Sequence, residues 1–227
     1  MGVGRSRAMR AVEFWGGLLW IAVAQFFIVM ALVQLAWPVP YDPIRDPISD
    51  LGRLTCTPVQ CSPWHGLMNA SFIVLGLCMG GGAIAAELSS PLVSAISRVA
   101  AAILIVAAVG TIGVGLVPND TIVWLHTTLA ALGICGGNTG SALTGWALRR
   151  TRGMMVVGAL GVGAGLLGWA MTLVLGAAHL GASSLLPFQG LLERGAAFPM
   201  LLALIISGGA LVRGDWLDRM NVPSPPA

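Results

Sequence analysis

The 227-residue chain is 56% hydrophobic and only 9% charged, with a mean hydropathy of +0.86. So little charge cannot clothe a soluble domain of this size, which leaves a bilayer as the fitting solvent. The net charge of +3 comes without lysine: all 12 basic residues are arginines, gathered at the ends of apolar runs rather than along a stripe, which excludes a nucleic-acid-binding surface.

A spanning helix needs about 20 mostly apolar residues. Six stretches meet that length, at about 14–37, 66–86, 97–117, 122–147, 154–177 and 195–212. The expected fold is all-α, a single membrane domain over 1–227 built as a bundle of six transmembrane helices. The first stretch follows Arg5, Arg7 and Arg10 as a signal peptide would. Its apolar run is too long for that, and it ends in Leu35-Ala36-Trp37-Pro38 with no small-x-small cleavage site, so it reads as a retained helix.

Residues 38–65 form the largest connection and hold Pro38, Pro40, Pro43, Pro47, Pro58 and Pro63. Proline at this density blocks regular helix and sheet, which predicts an ordered cap or a short broken helix. Cys56 and Cys61 lie in it at Cys-x4-Cys spacing, which on an oxidising face reads as a disulfide rather than a redox or zinc pair. Cys78 and Cys135 fall inside helices as small packing residues. The third and fourth helices are separated only by the Pro118-Asn119-Asp120 turn and form a hairpin. The tail from about 220 to 227, rich in proline, is expected to be disordered.

Arginine placement sets the orientation. With the N-terminus inside, Arg5, Arg7, Arg10, Arg98, Arg149, Arg150, Arg152, Arg213 and Arg219 fall on the inner side, against Arg45, Arg53 and Arg194 outside. The positive-inside rule therefore places both termini in the cytoplasm, in a multi-pass protein of the inner (plasma) membrane.

Four short elements occur in order: Asp46-Pro47-Ile48-Ser49-Asp50-Leu51-Gly52, Met68-Asn69-Ala70-Ser71-Phe72, Gly115-Leu116-Val117-Pro118-Asn119-Asp120 with His126 soon after, and Gly190-Leu191-Leu192-Glu193-Arg194. In that order and spacing they resemble the bacterial membrane family called domain of unknown function 998. The resemblance runs from the first helix to the sixth. It implies a six-helix membrane protein and no established reaction. The pattern is also distantly similar to the Frag1/DRAM/Sfk1 group, which implies a link to lipid and lipid-anchor remodelling.

Polar groups in or near hydrocarbon are costly, and those that remain are the candidates for function. Asp42, Asp46 and Asp50 in the outer loop, Asn69, Asp120, His126, His179, Glu193 and Arg194 all map to the outer level. His126 follows Asp120 by six residues, roughly 9 Å along a helix. A pocket open to the outer leaflet accounts for this gathering. In it His126 is the candidate general base or acid, Asp120 or Asp50 its orienting partner, and Arg194 the holder of an anionic head group, with Asn69 and Glu193 as further binding residues.

Plainer roles stand beside these. Asp120 suits the N-cap of the fourth helix, and Asp50 the backbone of its own turn. His126 suits an interhelical hydrogen bond to Asn69, and Arg194 a clasp to Asp50 or Asp120. Asn138, between Gly133/Gly137 and Gly136/Gly140, reads as polar glue between closely packed helices.

A metal on Asp50, Asp120 and His126 is a minor variant, since no HExxH or HxxxH pair exists, and no cofactor is expected. Without a Gly-x-Ser-x-Gly elbow, serine hydrolase chemistry has no support. Three functions follow: a protein that binds or processes a lipid or isoprenoid-type amphiphile, a non-enzymatic accessory or lipid-binding protein whose polar cluster is a latch, or a small transporter. The third lacks a carboxylate near the midplane.

Overall fold

The structure is a computed structural model that describes residues 7–58, 60–89, 94–151 and 153–220, with side chains up to residue 213. Every regular element among them is helical: α1 (Arg7–Ala22), α2 (Gln25–Leu35), a 3-10 turn (Ile48–Gly52), α3 (His65–Ser89), α4 (Ala95–Leu116), α5 (Val123–Leu148), α6 (Met155–His179), a second 3-10 turn (Ser183–Phe188) and α7 (Gln189–Met220). Arg5, Arg152 and the tail 221–227 lie outside the described residues, as does the side chain of Arg219.

Five helical stretches are long and apolar enough to cross a bilayer: Arg7–Leu35, His65–Ser89, Ala95–Leu116, Met155–His179 and Ser183–Arg213. The sixth long helix, α5, has 26 residues. It falls short in apolarity because His126, Thr127, Thr128, Asn138, Thr139, Ser141 and Thr144 interrupt its apolar run.

The first expected helix begins earlier than residue 14 and is not continuous. Between α1 and α2 the amides of Val23, Ala24, Phe26 and Phe27 bond back to the third carbonyl before each, tightening one turn into 3-10 geometry. Neither proline nor glycine causes this. Gln25 begins α2 there, its amide donating to the Ser71 carbonyl at 3.1 Å and accepting from the Ser71 hydroxyl at 2.9 Å. Two polar groups facing hydrocarbon are thereby satisfied by each other, and α2 is fixed to α3. The last helix begins at Gln189 rather than 195, because its first turn docks on the outer loop instead of entering it gradually.

From α3 to α7 each long helix packs on the next in sequence, and α1 closes the ring by packing on both α3 and α7. Small residues set the spacing. A Cβ on Gly76 would lie 2.6 Å from the Ala108 carbonyl of α4, and one on Gly145 of α5 would lie 2.6 Å from the Gly158 carbonyl of α6. Backbones this close exchange side-chain bulk for van der Waals contact, the main source of helix attraction in a lipid-like solvent. Asn138 adds a polar tie, its amide donating to the Ala196 carbonyl of α7 at 2.9 Å.

The outer loop does not lie loosely over the bundle. Its 3-10 turn inserts Ile48 and Leu51 into the core beside Phe26, Met68 and Leu201, so that this turn plugs one end of the ring.

Candidate functional site

The four sequence elements meet at the plug. Pro47 starts the 3-10 turn in extended conformation, and the Ile48 amide at its head donates to Glu193 of α7 at 2.6 Å. Within the turn Asp50 is buried, accepting from Asn119 at 2.7 Å and from Gln60 at 3.0 Å, with Arg53 at 3.5 Å. The two carbonyls that end the turn are also taken. Leu51 accepts from the Ser62 hydroxyl at 2.6 Å and Gly52 from the Asn69 amide at 2.9 Å.

Asp120 holds the next stretch of loop. It accepts from the Leu54 amide at 3.2 Å, the Thr55 amide at 2.8 Å and the Thr55 hydroxyl at 2.6 Å. The α5 N-cap is instead Ile122, with no side-chain cap, so the expected capping role of Asp120 is replaced by loop anchoring. The reason is geometric: Asp120 sits in the turn facing the loop, two residues ahead of the cap. Burial pushes its carboxyl up, but the Thr55 and Leu54 donors outweigh burial and hold it at about 2. A depressed carboxyl contributes stability that is complete above its ordinary range near 4 and is lost as pH falls through about 2. Protection of the Leu54 and Thr55 amides, measured as exchange relative to the intrinsic rate at each pH, is therefore expected to be full down to about pH 4, to fall as pH approaches 2, and to be low at every pH in Asp120→Ala.

Cys56 and Cys61 form the expected disulfide, with their Cα atoms 4.2 Å apart. Between them Thr57 and Gln60 close a tight turn through the Thr57 amide and hydroxyl, which directs the Gln60 side chain to Asp50.

Arg194 makes the densest set of bonds. It is 8% exposed, and its Nη1 donates to the carbonyls of Pro43 (2.9 Å), Asp46 (3.0 Å) and Gly190 (2.9 Å), while Nη2 donates to the Tyr41 hydroxyl at 2.7 Å. No described carboxylate pairs with it, so the expected clasp to Asp50 or Asp120 is replaced by a clasp on backbone carbonyls. A guanidinium occupied in this way does not face an anionic head group. Burial pushes the Tyr41 phenol well above its ordinary value in spite of Arg194, so it stays protonated beside the carbonyls of Asp46 and Pro47, each 2.8 Å away.

His126 is 7% exposed, and its Nδ1 lies 2.7 Å from the Val117 carbonyl, at the end of the preceding helix. A carbonyl only accepts, so Nδ1 carries a proton there and the ring is turned by Val117 so that Nε2 is left for other partners. No described residue bonds to Nε2. The expected partner, Asn69, is bound to Gly52 instead, and neither Asp50 nor Asp120 orients the ring. The proposed catalytic grouping of His126, Asp120 and Asp50 is thus not assembled. Among the described residues no three His, Cys, Asp or Glu side chains gather as metal ligands.

His126 and Glu193 nevertheless share a wall. Beneath the plug lies a cavity of about 60 Å³, room for a few waters, lined by Phe26, Phe72, Leu75, Val114, Ala130, Ile134, Ala197, Met200 and Leu201. Its polar side consists of Ser49, Thr111, His126 and Glu193. His65 bonds the Ser62 carbonyl and His179 is exposed, both away from this cavity.

Tyr41, Ser49, Gln60, Ser62, Thr111 and Asn119 take part in this arrangement without having been singled out in the sequence. Tyr41 had a usable signal: it is the chain's one tyrosine, set in a proline-rich loop.

The fold and site define a class: a helical bundle of the integral-membrane type, with a loop plugged into one end above a small cavity. The chain belongs to the family described as protein of unknown function DUF998, whose model matches residues 20–210. No curated protein and no solved structure matches it.

Proposed function

We propose that this protein crosses the plasma membrane six times with both termini cytoplasmic, and that it binds the polar end of an amphiphile in the cavity beneath its latched outer loop. For the sixth crossing, the support is that α5 packs between α4 and α6, both apolar enough to span, and its polar side chains Asn138 and Ser141 are buried between helices. For the orientation, Arg7, Arg10, Arg98, Arg149, Arg150 and Arg213 flank the helix ends away from the plug.

One observation carries the binding reading. Asp50, Asp120, Asn69 and Arg194 are committed to holding the loop, whereas His126 keeps an unbonded nitrogen and lines the cavity with Glu193. A ring nitrogen on a cavity wall that no described protein group occupies is available to the polar end of an occupant. The latch and the pocket are then parts of one device, the loop supplying Ile48 and Ser49 to the cavity wall.

Native mass spectrometry of protein purified in mild detergent tests this. The wild type is expected to carry a discrete small-molecule adduct that Ala130→Leu, which fills the cavity from its wall, lacks at unchanged thermal stability. Identical spectra for the two proteins would remove the binding reading.

The unbonded Nε2 of His126 favours a second reading, in which the occupant is processed with His126 as general base or acid. Lipid extracts of a deletion strain complemented with wild type or His126→Ala separate the two. A species restored by the wild type and not by a folded His126→Ala supports chemistry.

A further inference from the structure

A second hollow lies on the outside of the bundle, in the half away from the plug. It runs between α6 and α7 with a volume of about 300 Å³, at the lower end of the roughly 300–1,000 Å³ of ligand sites. Its walls include Ala159, Gly163 and Ala164 of α6 and Pro199, Ala203 and Ile206 of α7, and it shares no wall residue with the cavity beneath the plug. The sequence explains why two packed helices leave a gap here. Gly158, Gly161, Gly165 and Gly168 of α6 are buried against α5. Gly163 falls on another side, where an added Cβ would meet nothing within 4 Å. Small residues on that side give α6 no bulk to fill the space, and Pro199 interrupts the hydrogen-bond ladder of α7 at the deep end.

The groove leads to a positive charge. Pro199, Ile206 and Arg213 follow one another at intervals of seven residues, close to two turns, so all three lie on one face of α7. Between the last two, a Cβ on Gly209 would also meet nothing within 4 Å, which leaves the path from groove to guanidinium open. Arg213 is exposed, and no described carboxylate pairs with it. The first turn of α6, at the same end, holds no acidic residue, and the chain before it carries Arg149 and Arg150. An apolar groove in hydrocarbon with a cation at its mouth complements an acyl chain that ends in an anionic head group. A zwitterionic lipid or a second apolar helix matches only the apolar part. We infer that the α6–α7 groove holds an acyl chain of an anionic phospholipid, with Arg213 at the head group; in the orientation proposed above, this lipid belongs to the inner leaflet.

The test places the full-length protein in nanodiscs of phosphatidylglycerol and phosphatidylcholine in equal amounts with matched acyl chains. Native mass spectrometry then compares the lipids that stay bound on release. The wild type is expected to retain phosphatidylglycerol over phosphatidylcholine by about fivefold, the factor that one arginine supplies at a membrane surface. Arg213→Gln is expected to bring that ratio close to one while lipid is still retained. Gly163→Leu, with Ala159→Leu as a second variant that fills the groove, is expected to lose retained lipid of both kinds at an unchanged thermal midpoint. Arg149→Gln is the control for charge at this end in general. Its guanidinium lies 3.5 Å over the Trp146 ring of α5, and its loss is expected to change the ratio by less than about twofold. Ala130→Leu, in the other cavity, is expected to leave the ratio as it is.

Equal retention of the two lipids by the wild type would overturn the inference. So would a loss in Arg149→Gln as large as that in Arg213→Gln, or a preference that survives both groove-filling variants. A protein dimer that Gly163→Leu dissociates would overturn it too, since a second copy would then cover the groove.

Discussion

Arg194→Met is expected to be the most destabilising single change at the outer end, lowering stability by about 3 kcal/mol or more. The side-chain volume is nearly kept, so the loss is electrostatic. Nη1 and Nη2 together hold the carbonyls of Pro43 and Asp46 and the Tyr41 hydroxyl, all on a loop with no strand or helix of its own at that point. Hydrogen bonds from a charged donor contribute roughly 1.5–3 kcal/mol each, and the acceptors left behind are only partly reachable by water. Arg194→Lys should recover little, since an ammonium on a single stem cannot span acceptors that a planar fork reaches together. Thermal unfolding in one detergent checks this. A midpoint for Arg194→Met within a degree or two of wild type would show that the loop is held some other way.

Gly190→Ala is expected to come close to the same effect through sterics alone. A Cβ at Gly190 would run into the carbonyls of Asp46 and Pro43, and these are backbone atoms that cannot swing aside. The Gly190 and Leu191 amides also donate to the carbonyls of Arg45 and Ile44, at 3.2 and 2.9 Å, so pushing the helix from the loop breaks these bonds as well. Overpacking of about 1–3 kcal/mol plus two weakened hydrogen bonds gives a loss of about 3 kcal/mol. Gly176→Ala is the control: nothing lies within 4 Å of a Cβ there, and helix propensity makes alanine neutral or slightly stabilising. Equal midpoints for the two variants would refute the close-approach argument.

The long helices were legible because hydropathy is summed over 20 or so residues and survives local exceptions. The break after Ala22 was not, since no proline or glycine marks it; its one trace in the sequence is Gln25 inside an apolar run. The gathering of Asp50, Asn69, Asp120, His126, Glu193 and Arg194 at one end was also legible, because alternating spans fix which helix ends meet. Their pairings were not.

The physical reason is consistent across the site. Sequence reading matches side chain to side chain, as in His126 with Asn69 or Arg194 with Asp50. The structure instead matches His126 to the Val117 carbonyl, Asn69 to that of Gly52, and Arg194 to those of Pro43 and Asp46. A proline-rich loop folded into an apolar bundle brings unsatisfied backbone groups with it, and backbone acceptors have no letter in the sequence. The cavity was invisible for a related reason, since it is bounded by the 3-10 plug, whose insertion depends on those same bonds.

The site beneath the plug depends most directly on how Val117 holds the His126 ring. The double variant His65→Asn, His179→Asn leaves it as the only imidazole in the chain, so 15N labelling of histidine gives one pair of ring resonances. The predicted spectrum shows an Nδ1 that keeps its proton in the bond to Val117, with an Nε2 resonance that Ala130→Leu displaces. A ring with no proton on Nδ1, or one averaging freely between tautomers as an imidazole in water does, would contradict both the lock to Val117 and the site built on it.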